Sequence, residues 1–281
     1  VCMTVTMGPD VEEALAEIVR VSRDLGSDPS LVLHGGGNTS IKATGRDITG
    51  DAVDLVMVKG SGWNLGTIEA AGFAPLRRER LAELLQLDEL DDPAMVNELR
   101  QASLDATAPT ASIEALLHAY LPGRVVLHSH ADAIVALTNR DVSAAEIADA
   151  LGDGLLVLPY VMPGFPLARL IARTDVTGVD AIVLRNHGLF TFGDDPDAVL
   201  RRHRDIVARA GAVAGVNDWG VDGESIARRG VAIAVATLRR EISDAAGFPM
   251  HVRQSTSSRA DAFSRRDDVA VRDAHARGGA V

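Results

Sequence analysis

The spacing of apolar residues along the chain predicts helices and strands in a mixed order. Apolar side chains recur at helical intervals in the N-terminal segment, which a proline opens and a glycine closes. Shorter apolar runs bounded by glycine and aspartate are typical of strands. In the first part of the chain we predict helices at residues 9–26, 74–106 and 109–121, and strands at 41–44 and 55–58.

Strands and helices alternate in the second part of the chain. Apolar runs without polar alternation, such as VVL at 125–127 and AIVL at 181–184, are typical of strands buried on both faces. We therefore predict an α/β fold in which helices cover both faces of a central sheet. The predicted elements are 124–127, 131–137, 144–151, 155–158, 166–172, 181–184, 188–192 and 196–213.

Composition fits one globular domain with a modest appendage. Of the 281 residues, 47% are hydrophobic and 24% are charged, which excludes collagen-like, coiled-coil and wholly disordered proteins. From residue 254 onward, arginine, aspartate, serine and glycine replace the apolar pattern. We therefore predict a folded domain over residues 1–253 and a polar tail or linker over residues 254–281.

The charge balance argues against nucleic acid and membrane surfaces as partners and favours a small molecule. With 28 basic and 39 acidic residues, the net charge of −11 repels phosphate backbones and anionic lipids. The longest uncharged stretch, 154–168, is shorter than the ~20 residues of a membrane-spanning helix and contains three prolines. A single cysteine and an acidic N-terminal segment without an export signal predict a cytoplasmic location.

Two histidines separated by one residue give the strongest chemical signal. His128 and His130 follow a predicted buried strand and project from the same side of it. His187 follows another short apolar strand and is predicted to reach the same edge of the sheet. Three histidines leave one coordination position of a divalent metal, most often zinc, open for water or substrate. A His-x-His pair by itself also occurs at strand ends that bind no metal.

Glu114 is the candidate acid/base residue. A glutamate on a helix is usually solvated, but three apolar residues flank this one. Its predicted helix leads directly into the strand that carries His128, so we predict that Glu114 lies beside the metal. His118 shares the helical face of Glu114 and is predicted to be a structural partner.

Two glycine-rich loops are candidate anion sites. GGGNTS at 35–40 and KGSG at 59–62 expose backbone N–H groups and small hydroxyls, which suit a phosphate. Neither is a nucleotide-binding motif. Taken alone, each loop is more simply explained as a turn, because glycine is the least strained residue where φ is positive. If a metal site lies nearby, the interpretation of both loops as phosphate-binding loops is favoured.

The order of these motifs resembles the class II aldolase/adducin family. The segments GGGNTS, KGSG, PTASIE, HSHADA, PYVMPG and NHGLFTFG match it between residues 31 and 207. The chain is most similar to the aldolase half of long bacterial proteins in which a rhamnulose-phosphate aldolase-like domain is fused to a short-chain dehydrogenase. The resemblance implies a three-layer α/β/α sandwich whose central sheet is mixed and largely antiparallel.

The resemblance also implies roles for individual residues. The three histidines match the family's zinc ligands, and Glu114 matches its catalytic acid/base. Tyr160 matches a tyrosine that a neighbouring subunit lends as proton donor, since family members are commonly cyclic homotetramers. The positions that match phosphate contacts of the sugar-phosphate aldolases are Gly37, Asn38, Ser61, Gly62 and Ser112.

The implied function is metal-dependent retro-aldol cleavage of a ketose 1-phosphate similar to rhamnulose or fuculose phosphate. Such a reaction passes through an enediolate, whose negative charge a divalent cation stabilises. Ile113 occupies the position of a second serine in the aldolases, so one phosphate contact is missing and a different substrate is an alternative. The alternatives are a pentulose-phosphate 4-epimerase, a dehydratase or a decarboxylase on the same scaffold. A non-catalytic adducin-like scaffold is disfavoured by the complete set of three histidines and Glu114.

Overall fold

The computed structural model describes residues 8–215, together with residues 238, 241 and 242. Internal contacts divide the chain into two units, Val1–Val216 and Asn217–Val281, and the fold described here belongs to the first. The predicted boundary between residues 253 and 254 lies outside the described residues and stays a prediction. Over the described part of the chain, no helix is both long and apolar enough to cross a membrane.

A seven-stranded sheet forms the centre of the described residues. Its strands are β1 (Asn38–Arg46), β2 (Ala52–Lys59), β3 (Phe73–Arg77), β4 (Val125–Ser129), β5 (Leu155–Leu158), β6 (Ala181–Leu184) and β7 (Gly188–Gly193). Their order across the sheet is β3-β2-β1-β4-β7-β6-β5. Every neighbouring pair is antiparallel except β5 with β6, which is parallel. The sheet is therefore mixed and largely antiparallel, as the resemblance implied.

Helices cover both faces of this sheet. They are α1 (Pro9–Gly26), α2 (Arg78–Leu84), α3 (Asp92–Ala102), α4 (Ala115–Tyr120), α5 (Asp132–Thr138), α6 (Ala144–Leu151), α7 (Phe165–Ala172) and α8 (Pro196–Ala214). Residues of α1, α5, α6 and α8 share one hydrophobic core with Val125, whereas residues of α2, α3, α4 and α7 share a second core with Val126. Successive strand residues thus point to opposite layers. This confirms the predicted three-layer arrangement.

Burial on both faces explains the sequence of the central strands. Every residue of β4 and of β6 is buried. Polar residues at alternate positions would leave hydrogen-bonding groups without water, so these strands are apolar at nearly every position. The exceptions in β4 are His128 and Ser129, and both make hydrogen bonds.

The helix predicted over residues 74–106 is wrong at its start and interrupted in its middle. Residues 73–77 form the edge strand β3, and α2 and α3 are separated by an acidic segment. Pro75 lies within β3, where an edge strand tolerates a residue that has no N–H to donate. The same proline would have disrupted a helix interior.

The helix predicted to begin at Pro109 begins at Ala115 instead. The intervening residues pair with the KGSG turn, because the Ser61 N–H donates to the Thr110 carbonyl at 2.8 Å and the Ser112 N–H donates to the Lys59 carbonyl at 3.1 Å. These bonds hold the backbone extended and delay the helix. They also carry Ser112 towards the end of β4.

Truncation of Phe192 tests the second core. Phe192 is 1% exposed, so Phe192→Ala is expected to lower the free energy of unfolding by about 3–5 kcal/mol in urea titrations. Ile48 is 87% exposed, and Ile48→Ala is expected to change that free energy by less than about 0.5 kcal/mol. Equal losses in the two variants would contradict the assignment of Phe192 to the core.

Candidate metal centre and acid/base site

Antiparallel pairing of β4 with β7 brings three histidines together. His128 lies near the end of β4, His130 follows that end, and His187 immediately precedes β7. Ser129 pairs with Leu189 in the sheet, so the end of β4 meets the start of β7. One side-chain nitrogen of each histidine lies within 4.8 Å of those of the other two. The ring centroids are 4.8–5.1 Å apart.

The tight turn between β6 and β7 depends on two residues with special backbone requirements. A Cβ on Gly188 would lie 2.2 Å from the Ser129 carbonyl oxygen, so only glycine allows this approach. Asn186 has a φ of 60°, in the left-handed region that asparagine tolerates. Together they place His187 beside His128.

Burial keeps the histidines neutral and therefore able to bind a cation. The pKa of His128 lies well below its usual value because of burial and the neighbouring imidazoles, and burial lowers the pKa of His187 to about 4. The His128 Nδ1–H donates to the Leu189 carbonyl at 3.1 Å, which leaves the Nε2 lone pair facing the cluster. His128 Nε2 and His187 Nδ1 are buried without a hydrogen-bond partner. Burial also lowers the pKa of His130, and three neutral imidazoles, two of which have buried nitrogens without a partner, fit a divalent metal ion.

Glu114 lies against this cluster, immediately before α4. The side chain is buried, with Oε2 3.6 Å from His128 Nε2 and Oε1 3.5 Å from His187 Nε2. Oε1 has no hydrogen-bond partner. Burial raises the pKa of Glu114 to about 7, while a hydrogen bond from Asn38 and the charge of Lys59 act in the opposite direction. Such a carboxyl can exchange a proton near neutral pH.

Asn38 connects the first glycine loop to Glu114. It begins β1 directly opposite His128, and its Nδ2 donates to Glu114 Oε2 at 2.6 Å and to Ser112 Oγ at 3.2 Å. Gly37, with a φ of 62°, packs so closely that a Cβ would lie 2.8 Å from the His128 carbonyl oxygen. The loop is therefore part of the wall of the site.

The second glycine loop adjoins the first. Gly35 approaches Gly62 so closely that a Cβ on Gly35 would lie 3.3 Å from the Gly62 Cα. The bond from Asn38 to Ser112 joins the first loop to the segment that pairs with KGSG. These adjoining segments contain the predicted phosphate contacts Gly37, Asn38, Ser61, Gly62 and Ser112. Their role in binding phosphate stays a prediction.

Sequence analysis assigned no role to Lys59, which the structure places between the loops. Its buried ammonium donates to the Gly35 carbonyl at 2.9 Å. Burial lowers the pKa of Lys59 to about 8, and the negative charge of Glu114 acts in the opposite direction. A lysine directly before a glycine turn was the one signal in the sequence that pointed to it.

Tyr160 lies apart from these contacts. It is half exposed in the loop between β5 and α7, and its hydroxyl donates to the Met162 sulfur at 3.8 Å. Within its own subunit the hydroxyl is therefore bonded to Met162 and not to the histidine cluster. Its predicted role as a proton donor from a neighbouring subunit stays a prediction.

Comparison with known proteins points to one family. A family model described as the class II aldolase and adducin N-terminal domain matches residues 16–210. The N-terminal class II aldolase domain of a conserved protein from Thermoplasma acidophilum is 46% identical, with a TM-score of 0.69 over 71% of this chain and 92% of that chain. A sugar-phosphate aldolase from Thermotoga maritima shares the fold at 14% identity, with a TM-score of 0.51 over 77% of this chain and 98% of that chain.

A longer relative matches only in part. The uncharacterized oxidoreductase YuxG of Bacillus subtilis (strain 168) is 34% identical over 200 residues, which cover 70% of this chain and 29% of that protein. The chain therefore spans less than a third of the length of this curated relative.

Removal of one histidine tests the metal centre. His187→Ala is expected to weaken zinc binding by at least about 100-fold, because even changes outside the ligand set cost 10–100-fold. Competition with a chromophoric chelator measures the affinity. His34 is exposed with a φ of 52°, so His34→Asn is a tolerated control that should leave the affinity unchanged. Unchanged affinity in His187→Ala would remove His187 from the metal centre.

Proposed function

Because the chain belongs to the class II aldolase and adducin family, we propose that it is a zinc-dependent lyase that cleaves a ketose 1-phosphate by a retro-aldol reaction. The observation that carries this proposal is the position of Glu114. Its buried carboxyl lies 3.5 and 3.6 Å from two histidines of the cluster and keeps one oxygen without a partner. An acid/base group beside a metal site is the combination that aldol chemistry without an imine requires.

His128, His130 and His187 would hold the ion. Zinc is proposed because three protein ligands with one open position are typical of catalytic zinc sites. When bound, a divalent cation supplies electrostatic stabilisation of the negative charge that develops on adjacent substrate oxygens. The protein contributes the orientation of the ligands, since Leu189 fixes His128 and the Phe190 ring stacks on His128 with a centroid distance of 4.0 Å.

Glu114 would move the proton at its Oε1 atom. Asn38 occupies Oε2, so Oε1 is the oxygen left to take up or return a proton. Cleavage breaks the bond between C3 and C4 of the ketose phosphate and leaves the electron pair on the three-carbon ketone fragment. Glu114 then gives its proton to C3 and regains one from solvent, while the C4 hydroxyl releases its proton to solvent as the aldehyde forms. A pKa near 7 suits a group that acts in both directions.

The phosphate is proposed to bind at the two glycine loops. Ser61, Ser112 and the loop N–H groups supply hydrogen-bond donors, and Lys59 adds positive charge between the loops. Since Nδ2 of Asn38 already bonds to Glu114 and Ser112, we propose that Asn38 holds the loop to the acid/base group as much as it binds phosphate.

The proposal extends to the oligomeric state of the protein and to its partners. We propose a homotetramer in which Tyr160 of one subunit carries the proton of the C4 oxygen in the site of its neighbour, acting as the proton donor when the aldol bond forms. Its half-exposed hydroxyl contacts only the Met162 sulfur among the described residues. The acidic net charge disfavours nucleic acid and anionic membrane surfaces as partners. We propose instead a small sugar phosphate, bound in the cytoplasm. The oxidoreductase name of YuxG agrees with a likeness to the aldolase half of fused aldolase–dehydrogenase proteins.

A substrate panel tests the reaction type. Zinc-loaded protein is expected to release a ketone phosphate and an aldehyde from rhamnulose or fuculose 1-phosphate, identified by mass and NMR. Epimerisation of a pentulose phosphate without aldehyde release would assign the chain to the 4-epimerase branch. Zinc binding without turnover of any sugar phosphate would support the non-catalytic scaffold.

Glu114→Gln tests the acid/base residue. The variant is expected to keep its zinc and to lose about 10²- to 10⁴-fold in kcat, since an amide cannot exchange a proton. Glu83→Gln alters an exposed carboxylate on α2 and is expected to leave kcat unchanged. Wild-type turnover by Glu114→Gln would exclude the proposed role.

A further inference from the structure

A continuous set of buried hydrogen bonds links α4 to β1 behind Glu114. His118 is fully buried and uses both ring nitrogens: Nε2 bonds to Asn38 Oδ1, and Nδ1 lies 2.7 Å from Ser40 Oγ. Asn38 Nδ2 continues the set to Glu114 Oε2 at 2.6 Å. His118 is not one of the three histidines of the cluster and contacts Glu114 only through Asn38 and the helix backbone.

The periodicities of the two elements produce this arrangement. Glu114 and His118 are one helical turn apart, and the His118 N–H donates to the Glu114 carbonyl at 3.2 Å. Asn38 and Ser40 are two residues apart on β1 and therefore face the same side of the sheet. Two side chains from each element thus form one connected group.

The donors in this group can point in only one direction. An ionised Glu114 accepts hydrogen bonds only, so the Asn38 amide must present its NH₂ group to Oε2 and its carbonyl to His118. Burial and the charges of Lys42 and Lys59 lower the pKa of His118 to about 3, so the ring is neutral and carries one N–H. That hydrogen is required on Nε2, which leaves Nδ1 to accept from the Ser40 hydroxyl.

We propose that His118 is a positioning residue that fixes the Glu114 carboxyl through Asn38, keeping Oε2 occupied and Oε1 directed at the metal centre. This inference rests on the proposed acid/base function of Glu114. Without the N–H of His118, the Asn38 amide is free to turn over and place its carbonyl against the carboxylate. The two oxygens would repel, and Glu114 would leave the orientation that proton transfer needs.

Two substitutions at His118 separate positioning from stability. His118→Leu is expected to lower kcat by about 100-fold with KM and zinc content unchanged, because misplacement of a catalytic group by about 1 Å has that effect. His118→Gln keeps an N–H donor and is expected to recover most of that kcat. A kcat within twofold of wild type in His118→Leu, or no recovery in a folded His118→Gln, overturns the proposal.

Ser22→Ala is the matched control. Ser22 is buried on α1, and its hydroxyl bonds at 2.7 Å to Thr39, which lies between Asn38 and Ser40 but faces the opposite layer. The substitution removes a buried hydrogen bond to the same strand without touching the His118 group. It is expected to lower the urea midpoint while kcat stays at the wild-type value. A kcat loss equal to that of His118→Leu would show that general loosening of β1 is sufficient and would overturn the proposal.

The tautomer of His118 provides a test that needs no substrate. In zinc-loaded protein with ¹⁵N-labelled histidine, long-range ¹H–¹⁵N spectra show which ring nitrogen carries the proton, and His118→Gln identifies the signal. We expect a neutral ring protonated at Nε2. Protonation at Nδ1 would reverse the donors and overturn the proposal. The NMR measurement does not depend on turnover. A wrong tautomer would therefore overturn the positioning role of His118 even if the protein is an active lyase, and absence of lyase activity would not affect the NMR result.

Discussion

The antiparallel pairing of β4 with β7 is the constraint on which the site depends. It brings residues 128–130 and residue 187, nearly sixty positions apart in the chain, to one edge of the sheet. The pairing works because Gly188 has no side chain to collide with the Ser129 carbonyl. From the opposite layer, His203 on α8 bonds to Ser129 at 2.7 Å and to Thr191 at 2.8 Å, which ties the same two strands together. The positions of the three histidines are therefore set by the pairing of two strands, at whose adjoining ends they lie.

Among the described residues, the buried side-chain nitrogen and oxygen atoms without a hydrogen-bond partner are concentrated at Glu114 and the histidine cluster. The buried side-chain atoms without a partner, over the residues described, are Glu114 Oε1, His128 Nε2, His187 Nδ1 and Arg78 Nε. Three of the four belong to Glu114 and the histidine cluster, where the Glu114 carboxyl oxygens lie 3.5 Å from His187 Nε2 and 3.6 Å from His128 Nε2. Because an unpaired buried polar atom is costly, such a concentration indicates a ligand and not a packing defect. The satisfied groups around it, Asn38 and His118 above all, keep these atoms in place.

The sequence was sufficient for the layers, the histidine cluster and the position of Glu114 beside it, because each has a local signal. A strand buried on both faces has no polar alternation, and His128 and His130 stand out at the end of one. The start of the helix predicted over residues 74–106 was wrong because Pro75 is compatible with both an edge strand and a helix start, and only tertiary pairing distinguishes them. The sequence predicted a structural role for His118 but not its hydrogen bond to Asn38. It depends on β1 lying beside α4, and no pattern within either segment records that neighbour.

The three imidazoles differ in their access to water, and this asymmetry has a stereochemical consequence. His128 is buried and stacks on the Phe190 ring, whereas His130 is exposed, so the cluster is open to water on the side of His130. Glu114 is buried next to His128 and His187, where Asn38 holds its carboxyl. A planar reactant that enters from the open side would meet the carboxyl with a single face. Protons would then be added to, or taken from, one prochiral face, and the handedness of the product would be dictated by the sheet.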